Sequence, residues 1–375
     1  MGPKSARRGL LALCQALVTG DRCFDPVAID PLDVDDVIDA GFGPALAYVT
    51  RDANHSADAT GRLQAADLTA RVITADMLDV LDATVAAGEA IGCSPVILKG
   101  CATALQYYPE PHLRTIGDVD LLVPPGRYEA FAHELGALGF TQRMQSPAGA
   151  VDYQRHHHSM PFWHAQRRIW IEVHTRLFPR WSPLATESRF ALDAIGSQLS
   201  STRMGLRLGQ VMRPELQLVY TSARWAESLN RGRGAFAILD AALLVQHGST
   251  TLDWDRISGL VDRSWGATAL ALLLGYLHRY ELARIPGDVL RWLPQTGRAE
   301  RARTGALHKI TTAYVFERRR PGRLLTARTL RTAWSTLVKP RSAWANLFAV
   351  PFVIAFPPGG RKWVRLAVNF VAARK

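Results

Sequence analysis

Apolar residues recur at helical spacing in the first and last parts of the chain and at strand spacing between them. From Leu63 to Ala90 the positions Leu68, Val72, Ile73, Met77, Leu78, Val80, Leu81 and Val85 follow the helical period, with no Pro or Gly before Gly88. That run predicts one long helix. Leu10 to Tyr48 predicts short helices, including Val34 to Ile38 leading into Phe42 and Leu46, and Asp52 to Gly61 is a polar break. The pattern then changes. Pro95 to Leu98 reads as a short buried strand ended by Lys99 and Gly100, and Ala102 to Tyr107 as a helix. Val119 to Val123 predicts a second strand, Tyr128 to Leu138 a helix, and Arg168 to Leu177 a third strand. Beyond Pro214, helices are predicted over Leu216 to Glu227, Gly234 to Val245, Trp254 to Val261 and Ala267 to Tyr280. The expected fold class is α+β. Its parts are an N-terminal helical segment over 1–60, a mixed-sheet core over 61–205, a helical domain over 206–296 and a tail over 297–375.

Composition narrows this picture. With 375 residues, 48% hydrophobic and 21% charged, the chain is neither disordered, collagenous nor disulfide-stapled. The net charge of +12 first suggests a nucleic-acid or membrane partner. Its distribution changes that reading: residues 297–375 hold 17 basic residues against two acids, Glu300 and Glu317, while the rest holds 28 bases against 31 acids. The body lacks the positive character that polynucleotide binding needs, so a nucleic-acid partner is not expected. The four cysteines show no zinc-type spacing and read as reduced thiols of a cytoplasmic protein. The N-terminal apolar run, broken by Gln15, reads as an amphipathic helix and not a leader. Ala343 to Phe356, interrupted by Asn346 and Pro351, falls short of the roughly 18–20 apolar residues of a membrane-spanning helix.

The segment richest in chemistry is Leu113 to Val123, with Asp118 and Asp120 two residues apart. On a strand that spacing points both carboxylates to one face and Val119 and Leu121 to the other. Two such carboxylates repel unless a cation lies between them, and a hard divalent ion such as Mg²⁺ resolves the conflict. Glu172 and His174 repeat the spacing on the third strand, so Glu172 is expected to complete a three-carboxylate cluster for one or two metal ions. Upstream, Lys99 and Gly100 form a strand–turn–helix start that suits an anion, through backbone N–H groups and a point charge, or else an ordinary turn. Arg114 either clamps a phosphate oxygen or sits on the surface.

Leu98-Lys-Gly100, Leu113-Arg114, Gly117 to Val123 and Ile171-Glu-Val-His174 together resemble a bacterial family of uncharacterised nucleotidyltransferases within the DNA-polymerase-beta-like superfamily. The resemblance runs from about residue 30 to about residue 285. It implies metal-dependent transfer of a nucleoside monophosphate from an NTP, with ATP the first choice, to an acceptor, releasing pyrophosphate. The acceptor is expected to be a small molecule, a sugar-type precursor or a peptide. Asp118 and Asp120 would ligate two Mg²⁺ ions, and Glu172 would complete the metal site and orient or deprotonate the acceptor. Lys99, Gly100, Arg114, Gly117 and His174 would line the nucleotide, with His174 alternatively supporting Glu172 or touching the acceptor. Lys99 and Gly100 stand where many superfamily members have Gly-Ser or Gly-Gly, which trades a hydroxyl for a cation.

His156, His157 and His158 point in alternating directions on a strand, so at most two can share an ion. A dedicated zinc or nickel site is not expected, and His158 as a strand residue facing the cleft is the more plausible of these two readings. The tail places Trp363, Leu366, Ala367, Phe370 and Val371 on one helical face. It reads as a helix on an anionic membrane surface at the inner face, as a docking surface, or as an appendage packed on the body. The alternative to an enzyme is a catalytically silent scaffold acting through residues 297–375 at a membrane or partner.

Overall fold

The structure is a computed structural model that describes residues 5–20, 31–52, 56–143, 157–180, 182–204, 207–228, 235–248, 251–262 and 265–292. The expectations for residues 293–375, and for His156, lie outside the described residues.

Three short helices open the described chain: α1 (Ser5–Thr19), α2 (Pro31–Asp39) and α3 (Gly43–Val49). The long helix α4 (Ala57–Ala90) follows. Its N-terminus is capped by the Ser56 hydroxyl, which accepts from the Ala59 N–H, and it ends where Gly92 takes a φ of +68°. Residues such as Leu63, Met77, Leu81 and Val85 bury one side of α4, whereas Leu68, Val72 and Ile73 are 64%, 57% and 48% exposed. The apolar series read from the sequence thus splits, because a stripe repeating at 3.6 residues drifts around so long a helix.

The sheet has seven strands in the order β3-β4-β5-β2-β1-β7-β6. They are β1 (Val96–Ile97), β2 (Val119–Leu122), β3 (Thr141–Gln142), β4 (Phe162–His164), β5 (Ile169–His174), β6 (Leu199–Met204) and β7 (Arg207–Met212). β1 leads into α5 (Lys99–Tyr107), and α6 (Tyr128–Ala137) connects β2 to β3. At the centre β2 runs antiparallel to β1 and parallel to β5, and β1 runs parallel to β7. The outer pairs β3–β4, β4–β5 and β6–β7 are antiparallel.

Strand alternation assigns the two sheet faces to two cores. Val119, Leu121, Val123, Ile171 and Val173 join Met77, Val80, Leu81 and Val85 of α4 and Phe131 and Leu135 of α6. Val96, Leu98 and Leu122, on the other face, join a larger core built from helices at both ends of the described chain. Those later helices are α7 (Pro214–Ser228), α8 (Ala235–His247), α9 (Trp254–Val261), α10 (Trp265–Arg279) and α11 (Gly287–Trp292). The expected boundary at residue 205 falls between β6 and β7, which pair along their whole length, and the sheet runs on to Met212. Among the described residues no helix is long and apolar enough to cross a membrane.

Candidate active site

The parallel pairing of β2 with β5 sets Asp120 directly opposite Glu172 and Leu122 opposite His174. This face of the two strands points away from α4 and α6, so the polar side chains share a pocket beneath the helical core. Asp120 is 2% exposed and His174 fully buried, while Glu172 keeps a small opening to solvent. The His174 Nε2 lies 2.7 Å from Asp120 Oδ1 and 3.8 Å from Glu172 Oε2. One ligand atom from each of the three lies within 4.8 Å of the others, which is compact enough for a metal ion.

Lys99 enters this pocket from the first residue of α5. Its Nζ donates to Asp120 Oδ1 at 2.5 Å and to Glu172 Oε2 at 3.4 Å. Burial alone would lower its pKa, but the Asp120 charge, with Tyr220 and Glu172 behind it, holds the amine above the ordinary lysine value. The backbone at Lys99 takes a φ of +49°, a conformation that costs a non-glycine residue about 1–2 kcal/mol.

Asp118 lies just before β2, partly buried, and is not one of the three groups in the compact cluster. Its pKa is pushed up to about 7, first by the Asp120 charge and then by burial, with Lys99 only partly offsetting them. Gly117 next to it is exposed, with open space over its Cα. A Cβ on Gly100 would stand 3.5 Å from the Arg114 guanidinium, so the turn and the arginine are in contact. Arg114 itself is held by a forked pair of hydrogen bonds to Asp240 of α8, 2.9 and 3.2 Å, and stacks over the Phe236 ring at 4.2 Å. Tyr108 donates to the same Asp240 at 2.7 Å.

Two histidines complete the pocket. Backbone hydrogen bonds from Ser159 N to Val173 O and from Thr175 N to His157 O lay this segment along the end of β5. The His157, His158 and His174 rings lie 4.7 to 5.4 Å apart, and His158 Nε2 is 3.9 Å from Glu172. The expectation that His158 faces the cleft matches this placement. Burial and then the Lys99 charge hold His174 well below the ordinary histidine pKa. It therefore donates Nε2–H to Asp120 as a neutral ring. His157 is held neutral by burial, with His174 and Arg224 adding to it.

Sequence reading missed Tyr220, Arg224 and Asp240, and it named His157 only as one of three consecutive histidines. Tyr220 and the Arg224 guanidinium bear on Lys99 in opposite directions, and Arg224 also acts on the buried histidines. Their spacing of four on one predicted helix was the available signal. For Asp240 the signal was a lone acid within Ala235 to Val245, an otherwise apolar helix.

The fold is thus an α+β core whose mixed sheet sets two buried carboxylates side by side on parallel neighbours, next to a strand–turn–helix start. The family model described as "uncharacterised nucleotidyltransferase" matches residues 38–280, and the chain belongs to that family. It is therefore a transferase enzyme whose general chemistry is nucleotidyl transfer, with an NTP as substrate. No curated protein and no solved structure matches the chain.

Proposed function

We propose that the protein transfers a nucleoside monophosphate from ATP to a small molecule, a sugar-type precursor or a peptide, in a Mg²⁺-dependent reaction that releases pyrophosphate. The observation that carries this reading is the register of Asp120 against Glu172 on adjacent parallel strands, buried together with His174. Paired buried carboxylates at this spacing fit a hard divalent ion, and Asp118, pushed up to about 7 by its neighbour's charge, is an acid in need of a further cation. In this reading Asp118, Asp120 and Glu172 hold the metal. A bound divalent ion supplies Lewis-acid screening of the triphosphate and of the charge on the leaving oxygens.

The remaining roles belong to the chain itself. His174 fixes Asp120 by donating Nε2–H, leaving the carboxylate's other oxygen available. The Gly100 turn at the start of α5, with the Arg114 guanidinium against it, offers backbone N–H groups to phosphate oxygens. Gly117, with no neighbour over its Cα, leaves room for the nucleotide beside Asp118. Glu172, more exposed than Asp120, faces the acceptor and accepts or orients its proton. Three buried free thiols, Cys14, Cys93 and Cys101, support a reducing cytoplasmic setting.

The test is binding of labelled ATP with and without Mg²⁺ by the wild-type protein and by Asp118→Asn/Asp120→Asn. Mg²⁺-dependent binding that vanishes in the double variant is expected. Equal Mg²⁺-dependent binding by both proteins would sink the proposal.

A further inference from the structure

Two carboxylates facing each other across β2 and β5 need a cation between them, and one is already present. The Lys99 Nζ sits between Asp120 Oδ1 and Glu172 Oε2, at 2.5 and 3.4 Å. An independent observation comes from the whole sequence. Only six of the 45 basic residues are lysines, and Lys99 is the only one between Lys4 and Lys309. Elsewhere in that stretch every Lys or Arg position is an arginine, yet this position keeps the compact ammonium, a point charge set between two carboxylates. The backbone accepts a left-handed conformation at Lys99 to deliver it, and strain of that kind concentrates at functional sites.

We propose that the Lys99 ammonium is a built-in cation of the active site, occupying the place between Asp120 and Glu172 that a second divalent ion would need. The ternary complex with nucleotide then takes one divalent ion in place of two, held by Asp118 and by the Asp120 oxygen that Lys99 and His174 leave open, which narrows the three-carboxylate metal set proposed above to these two. This inference rests on the metal-dependent nucleotidyl-transfer reading. Lys99→Met frees the position and raises the count to two.

The test is native mass spectrometry of the full chain saturated with Mn²⁺ and a non-transferable ATP analogue, counting Mn²⁺ per protein–nucleotide complex. One ion in the wild type and two in Lys99→Met are expected, and Lys99→Arg is expected to lose at least tenfold in analogue affinity. Two ions in the wild type, or one in both proteins, would overturn the inference while leaving nucleotidyl transfer intact. A protein that binds neither Mn²⁺ nor the analogue would overturn the transfer reading and this inference with it. Lys99→Gln takes the place of Lys99→Met if that variant does not fold, with the same two counts expected and the same results overturning the inference. Thermal melting gives a second readout, with a larger Mn²⁺-induced rise in Tm expected for Lys99→Met than for the wild type.

Discussion

Asp240 is the residue on which the loop before β2 depends. It accepts from two nitrogens of Arg114 and from the Tyr108 hydroxyl, and only 7% of its side chain is exposed. Removing one partner of a buried pair leaves the other charge uncompensated, which costs far more than the intact pair contributes. Asp240→Ala is therefore expected to lower unfolding stability by about 3–5 kcal/mol, read from urea denaturation. Because Arg114 lies against Gly100, the same variant is expected to weaken ATP-analogue binding. Unchanged stability would mean that the network is not a support. Sequence reading left Arg114 between a phosphate clamp and a surface residue because its partner is 126 positions away. No local pattern encodes a pair of that separation.

At the scale of elements, close approach decides where glycine is required. A Cβ on Gly209 of β7 would lie 2.6 Å from Ile97 Cδ1 and 2.7 Å from Met204 Cε, inside a packed face of the sheet. Gly61, in the second turn of α4, would meet nothing. The same substitution is thus expected to have opposite signs: Gly209→Ala loses about 1–3 kcal/mol through overpacking, while Gly61→Ala gains about 0.5–1 kcal/mol of helix propensity. Denaturant midpoints of the two variants check the pair, and loss in both would contradict it.

The elements with strong periodicity were legible in the sequence. The helix ending at Ala90, the strand carrying Asp120 and the strand carrying Glu172 all lie within a few residues of their expected places. The two- and three-residue strands β3 and β4 were not, because so few residues establish no alternation. β6 and β7 escaped for another reason. Their burial is uneven, with Leu208 61% exposed and polar side chains on both strands, so no clean alternation marks them. The strand period of two also put Glu172 and His174 on one face of β5, whereas Asp118, expected on the strand beside Asp120, lies just before β2. Which strand lies beside which was not legible, and the tightest polar cluster joins Asp120 and Glu172 to His174 through that pairing.

Taken whole, the molecule closes its larger core with helices from both ends of the described chain, so the N-terminal segment and the later helices stabilise one another. Cys14 of α1 is buried in that core, and burial pushes its thiol from 9.0 up to about 12. The sign follows from proton counts. Above pH 9 the unfolded chain releases this proton and the native protein keeps it, so stability present below pH 9 is lost as pH rises toward 12. At pH 10.5 this one thiol is expected to cost about 2 kcal/mol relative to pH 8. Cys14→Ala should lose correspondingly less over that range, measured by urea midpoints at the two pH values. Identical losses in both proteins would show that the thiol is not held neutral. Charge also divides at this scale, with the basic excess confined to residues 297–375 and a body close to neutral.

The isolation of Lys99 gives the protein an unusual chemical transparency. Amine-directed reagents and lysine-specific proteases find only this one target between Lys4 and Lys309, and it is a charged, non-nucleophilic amine clasped by two acids. Acylation or cleavage at Lys99 therefore requires the clasp to open. Its rate reports opening of the active site without any introduced label.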